Sequence, residues 1–195
     1  MTETEIKIPF DRTPREARDL IERNGYVLHE PRVLESDQIF DRGVSDLRNG
    51  DQLLRLRRSG ARSTVTYKGP AARGRYKSRE EIEFDVSDAA AFELVLDRLG
   101  YTPGFRYEKY RTKFQAPGEP GIVTIDETPI GVFLELEGPG DWIDSTAARL
   151  GFSSSQYSTA SYAALYREYL RSHDGAPENM VFKPGIRPTI HEKDT

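Results

Sequence analysis

Charged residues occupy alternate positions in nearly every extended stretch of this chain, and they are sorted by sign. Glu3, Glu5 and Lys7 alternate with Thr4, Ile6 and Ile8. Arg55 and Arg57 alternate with Leu54 and Leu56, and in the next run Thr64, Thr66 and Lys68 oppose Val65 and Tyr67. Arg79, Glu81, Glu83 and Asp85 stand against Ile82, Phe84 and Val86; Lys109, Arg111 and Lys113 stand against Tyr110, Thr112 and Phe114. Thr124 and Asp126 then oppose Val123 and Ile125, and Glu135 and Glu137 oppose Leu134 and Leu136. Successive side chains of a strand point to opposite faces, so each run carries one ionic and one less polar face. Two arrangements satisfy that pattern. An antiparallel sheet can keep its ionic face in water, where cross-strand charge pairs add little. The other arrangement closes the sheet with its ionic faces inward. Alternation alone does not say which side is wet.

Three details favour the closed form. Runs of like charge fall on different strands, carboxylates in Glu3/Glu5, Glu81/Glu83 and Glu135/Glu137 and cations in Arg55/Arg57 and Lys109/Arg111/Lys113, as paired rings of opposite sign require. Arginine dominates where forked recognition of phosphate would matter. The chain also holds amphipathic helices that need an apolar surface to cover, which the outside of a barrel supplies; closure removes the exposed sheet edges as well. Thr13, Pro14 and Glu16 form a capping box before a helix whose stripe is Ala17, Leu20 and Ile21, with Gly25 as its stop. Ser87 is the expected cap of a second helix with Ala91, Leu94, Val95 and Leu99 inward. Asp141–Leu150 reads as a short helix closed by Gly151, and Ser158 as the cap of a last helix with a stripe of Tyr162, Leu165, Tyr166 and Tyr169. Between these, 26–41 is extended with a bulge or edge at Pro31, 43–50 reads as a loop, 53–58 and 63–68 as a hairpin, and 69–74 as a flexible connection.

An enclosed set of like charges is costly unless paired or liganded. Carboxylates at alternate strand positions offer oxygens to hard Mg²⁺ or Mn²⁺, which also bind phosphates and water, while Arg and Lys take the remaining phosphate oxygens. Such a bore asks for a metal-bound triphosphate.

Composition sets the wider limits. At 195 residues the chain is long enough for one large domain, and a charged content of 31% against 36% hydrophobic leaves many charges to place. The net charge of −4 leaves no global basic footprint for nucleic acid. Cysteine is absent, which removes disulfides and thiolate chemistry. No apolar run reaches the ~20 residues of a membrane span, and the acidic N-terminus is unlike a signal peptide. The expectation is a single cytoplasmic domain over residues 1–171 followed by a polar tail, 172–195, extended or disordered, with no nucleic-acid or membrane partner. Oligomeric state is left open, a homodimer included.

The ordered set Glu3-x-Glu5-x-Lys7, Arg55-x-Arg57, Lys68, Arg79-x-Glu81-x-Glu83, Lys109-x-Arg111, Asp126, Glu135-x-Glu137 and Ser161-Tyr162 resembles the CYTH proteins, or triphosphate tunnel metalloenzymes. Leu99-Gly100-Tyr101, Glu108-Lys109-Tyr110-Arg111 and Thr124-Ile125-Asp126 look most like the bacterial branch related to class IV adenylyl cyclases. The resemblance implies an α+β fold: a closed eight-stranded antiparallel β-barrel forming a tunnel, with helices outside. It also implies a metal-dependent enzyme acting on a nucleoside triphosphate or on inorganic tri- or polyphosphate. By position, Glu3, Glu5, Asp126, Glu135 and Glu137 become the metal ligands, and Lys7, Arg55, Arg57, Lys68, Lys109 and Arg111 the phosphate contacts. Arg79 and Lys113 join the substrate-binding set, or balance charge as Glu81 and Glu83 do. Catalysis would centre on Glu3, Glu5, Lys7, Glu135 and Glu137. Tyr162 reads as packing, and His29, His173 and His191 have no site role. Hydrolysis to release phosphate stands slightly ahead of cyclisation of ATP, because water as nucleophile needs fewer special contacts; a non-catalytic polyphosphate- or nucleotide-binding module is the third reading. Arg57→Ala is expected chiefly to weaken phosphate binding.

Overall fold

The computed structural model describes residues 2–183. In chain order the elements are β1 (Thr2–Phe10), α1 (Pro14–Arg23), β2 (Val27–Arg42), α2 (Asp46–Asn49), β3 (Leu53–Ser59), β4 (Arg62–Lys68), β5 (Ala72–Arg73) and β6 (Lys77–Asp85). They continue with α3 (Ala89–Arg98), β7 (Tyr101–Gln115), β8 (Ile122–Thr128), β9 (Gly131–Glu137), α4 (Gly140–Arg149) and α5 (Tyr162–Ser172). The sheet runs β1-β9-β8-β7-β2-β3-β4-β6-β5, and β1 also pairs with β6. That last pairing, with Glu3 opposite Arg79 and Glu5 opposite Lys77, closes eight strands into an antiparallel barrel. The two-residue β5 lies outside the ring, on β6.

The barrel is apolar outside. Ile6, Ile8, Val123, Ile125, Leu134 and Leu136 face outward and are buried against Ala17 and Ile21 of α1 and Trp142, Ile143 and Ala147 of α4. Burying each such aliphatic side chain is worth about 1.5–3 kcal/mol, so this layer fixes which face turns out. Phe40, Leu56 and Val65 on the opposite wall pack on Leu96 of α3. The charged faces, with nowhere else to go, enclose the bore, and the water-facing alternative does not describe this molecule.

Local chemistry explains most boundaries. Thr13 accepts from the Glu16 N–H while Glu16 bonds back to the Thr13 N–H, the expected box. Pro31 falls where the β2–β7 register shifts, so its missing N–H costs no regular ladder bond. Other expectations need correction. Asp88, not Ser87, caps α3 by accepting from Ala91 N. Its inward face is Phe92 and Leu96, leaving Leu94, Val95 and Leu99 exposed. Ser161, not Ser158, caps α5; Ser158 instead exchanges two backbone hydrogen bonds with Lys7 at the end of the barrel. The 43–50 loop contains α2, and the 69–74 connection contains β5. The start of the polar tail is ordered against the barrel: Met180 is fully buried and bonds along β7 to Arg106 and Glu108. Pro184, Pro188 and His191 lie outside the described residues.

One turn is tight enough to test. A Cβ on Gly121 would lie 2.4 Å from ring atoms of Trp142, which is itself buried under the barrel. Gly121→Ala is therefore expected to destabilise by about 1–3 kcal/mol, the range for overpacking. A denaturant titration checks it; an unchanged midpoint would mean that Trp142 can move aside freely.

Candidate functional site: the charged bore

Seven of the eight barrel strands, all but β2, send side chains into one chamber of about 230 Å³. Nine Lys and Arg side chains and six Glu side chains line it. Three further carboxylates, Glu35, Asp37 and Asp126, are buried beneath the cations. The nine cations therefore face nine carboxylates, and the bore is close to neutral. One end is a floor in which Tyr107 and Phe133 pack on Tyr162 and Tyr166 of α5 and on Met180. At the other end Glu83 and Lys113 are partly solvated and form the mouth.

The deep part is a continuous ion-pair network. Arg111 donates from Nε to Asp126 Oδ1 at 2.7 Å and from Nη2 to Asp126 Oδ2 at 2.6 Å and Glu135 Oε2 at 2.8 Å. Lys109 Nζ and the Tyr162 hydroxyl both donate to Asp126 Oδ2, at 2.8 and 2.6 Å. Arg57 reaches Asp37 at 2.8 Å and Glu35 at 3.0 Å, while Arg55 lies 3.4 Å from Asp37. Burial alone would raise these carboxyls, but the adjoining cations override it. Lys109, Arg57 and Arg111 hold Glu35 down at about 2, and Asp37, Asp126 and Glu135 are likewise held low. Burial and Arg111 in turn lower Lys109, against the pull of Asp126 and Glu35. A network this well paired is expensive to break at any single member.

Nearer the mouth the balance reverses. Glu3 is pushed up to about 8 by burial, a hydrogen bond with Glu81, and the charges of Glu137 and Glu81, with Lys68 only partly compensating. Burial and Glu135 raise Glu137 as well. Here the neighbouring carboxylates outweigh the cations felt by Glu3 and Glu137. A hard divalent cation suits such a set, since oxygen donors of surplus negative charge are what Mg²⁺ and Mn²⁺ bind. Among the described residues no three carboxylates or imidazoles already converge as ligands of one ion. Glu3 and Glu137, with Glu5, would have to turn toward it, Glu5 away from Lys77 and Lys7.

The side chains singled out in the sequence thus divide. Glu3, Glu5, Lys7, Arg55, Arg57, Lys68, Lys109, Arg111, Lys113, Glu135 and Glu137 all line the chamber. Asp126 does not: both its oxygens are taken by Arg111, Lys109 and Tyr162, which makes it an anchor for cations rather than an open ligand. Arg79 lines the wall, but its guanidinium donates to the backbone carbonyls of Gly69 and Asp51, tying two loops together. Glu81 pairs with Lys68, and Glu83 accepts from Thr66. Tyr162 packs, as expected, and also orients Asp126. Sequence reading missed Glu35, Asp37 and Lys77. Lys77 stands at the start of β6, two residues before the strand was expected to begin, and pairs with Glu5.

Comparison with known proteins places this geometry. A protein of Methanocaldococcus jannaschii named "Putative adenylate cyclase MJ0240" is 31% identical over 139 residues, covering 70% of this chain and 77% of its own. The PH1819 protein of Pyrococcus horikoshii superposes with a TM-score of 0.73 at 24% identity, covering 86% of this chain and 99% of that one. A Hippeastrum protein, described as an adenylyl cyclase candidate with a dominant triphosphatase activity, superposes at 0.62 with 16% identity, over 86% of this chain and 96% of that one. These two likenesses speak for the fold alone. Residues 1–150 match the CYTH domain family. That stretch contains the whole barrel, every strand of which builds the bore, and on it the chain belongs to the CYTH family.

Proposed function

We propose that this chain is a metal-dependent triphosphatase that draws a phosphate chain into the bore and releases its terminal phosphate to water. The observation that carries this reading is the charge balance of the chamber. Because the bore is already near neutral, a bare polyanion gains little there, whereas a polyanion arriving with divalent cations keeps the balance. Partners would then be exchanged rather than lost. Glu3, Glu5 and Glu137 would hold Mg²⁺ or Mn²⁺, leaving Lys68, Lys77 and Lys7, and those ammonium groups would then be available to phosphate oxygens.

When bound, such an ion polarises phosphoryl oxygens and lowers the pKa of a water molecule. The protein's own contribution is positioning and electrostatics, which phosphoryl transfer mainly needs. Arg55, Arg57, Lys109 and Arg111 are held in place by Asp37, Glu35, Asp126 and Glu135, so they can meet charge developing on the phosphate oxygens without reorganising. Lys113 at the mouth and Lys68 on the wall would guide the chain inward.

The organic part of the substrate has little room. A chamber of about 230 Å³ lies below the ~300–1,000 Å³ usual for drug-sized ligands. Its aromatic lining residues, Tyr107 and Tyr162, are packed into the floor, where a base cannot stack on them. This supports inorganic tripolyphosphate, or a nucleotide whose base stays outside, and the activity named for the Hippeastrum protein points the same way. The name of the M. jannaschii protein favours the second reading, conversion of ATP to cyclic AMP and pyrophosphate. Incubation with tripolyphosphate and with ATP, each with Mg²⁺ or Mn²⁺, separates the readings. Orthophosphate is the expected product. Cyclic AMP with pyrophosphate would replace the hydrolase by the cyclase, and tight binding without product would leave a binding module.

A further inference from the structure

Thr124 sits on the inward face of β8, opposite Lys113 of β7 and Glu135 of β9. It lines the chamber and is 2% exposed, yet its Oγ1 has no hydrogen-bond partner. Folded proteins pair the large majority of buried hydroxyls, and one left alone is a cost that valine, of nearly the same shape, would avoid. The adjoining carboxylates are bonded to other donors. Asp126, the next inward residue on β8, is bonded by Arg111, Lys109 and Tyr162, and Glu135 accepts from Arg111. The hydroxyl proton has no acceptor in the protein as folded and is available to something that enters the bore.

Arg111 and Lys113 flank the same position from β7, with Glu135 across it on β9, and an unmet donor beside two cations suits an anion with several oxygens. We propose that Thr124 is a substrate-binding residue whose Oγ1–H donates to a phosphate oxygen of the bound triphosphate. The assignment rests on the reading of the bore as a triphosphate site. Its competitor is a hydroxyl satisfied by one trapped water, which a polar chamber of this size accommodates.

The two differ in what Thr124→Val does. The test is calorimetric titration of tripolyphosphate in Mg²⁺ into the wild-type protein, Thr124→Val and Thr124→Ser, with thermal melts of each ligand-free protein. The valine variant is expected to bind about tenfold more weakly, the scale of one hydrogen bond to a charged acceptor, while melting at or above the wild-type temperature. Thr124→Ser, which restores the hydroxyl, is expected to recover most of the lost affinity. Should the valine variant fold poorly, Thr124→Ala carries the same expected loss of binding. Wild-type affinity in a folded valine or alanine variant overturns the role of Thr124 alone. A wild-type protein that binds neither tripolyphosphate nor ATP with Mg²⁺ overturns the reading of the bore, and this assignment with it.

Discussion

Arg111→Ala is expected to cost about 3–5 kcal/mol of stability, the range for removing one partner of a buried ion pair. Its guanidinium bridges Asp126 and Glu135 and lies 3.9 Å from Glu35, all of them shielded from water. Alanine leaves their negative charges facing one another across a void, with Lys109 and Lys7 as the nearest compensation. For a chain of this length the loss corresponds to a fall in melting temperature of roughly 6–20 °C. Lysine should rescue little, because a single ammonium cannot reproduce the fork that spans Asp126 and Glu135. Adding Asp126→Asn should restore part of the loss by removing one stranded charge. A variant that melts within a degree or two of the wild type would show that these carboxylates do not depend on Arg111. The same reasoning revises the expectation for Arg57→Ala: with Asp37 and Glu35 both bonded to it, stability should fall along with phosphate binding.

Glu3→Gln is expected to move stability and activity in opposite directions. In the metal-free protein Glu3 is surrounded by Glu81 of β6, Glu137 of β9, Lys68 of β4 at 3.8 Å and Arg79, its partner on β6. Its carboxyl is raised from 4.5 to about 8, so between those pH values the folded chain keeps a proton that the unfolded chain has released. That contribution to stability is complete below pH 4.5 and is lost as pH rises through 8, because the state binding more protons is favoured by acid. Glutamine cannot ionise. The variant should therefore melt above the wild type at alkaline pH in the absence of metal, and converge with it toward pH 4.5. Turnover should fall by about 10²–10³-fold, as when a preorganised charged or polar group is removed from a reacting centre. Melting curves across pH in chelator, beside phosphate release in Mg²⁺, provide both readings. A glutamine variant that is less stable at pH 8 and equally active would remove Glu3 from the metal end of the bore.

How much of this was legible depended on contrast between faces. Where one face is ionic and the other aliphatic, as in Glu3 to Ile8 or Lys109 to Phe114, the sequence shows which residues share a face, and burial of the aliphatic one decides its direction. Strand β2 lacks that contrast. Its inward residues Val33, Glu35, Asp37 and Ile39 alternate with Leu34, Ser36, Gln38 and Phe40, so the two carboxylates that hold Arg55 and Arg57 looked like ordinary surface acids. Helix α3 failed for a related reason. Ala89 to Leu96 is apolar at nearly every position, leaving no stripe to read. The Phe92–Leu96 pair takes the barrel, while Glu93 is drawn to Arg58 on the wall, at 2.9 Å. The sequence put Thr124 on the inward face but could not show its missing partner, because a hydroxyl without one is a fact about neighbours, and sequence shows only spacing.

The aromatic floor beneath Lys7 and Lys109 makes the barrel a cul-de-sac. A long polymer cannot thread through it and can be gripped only by a free end, with the remainder trailing into solvent. If the bore hydrolyses a phosphate chain as proposed, the piece cut off would retreat by the way it came in, so departure of one fragment and arrival of the next would share a single doorway.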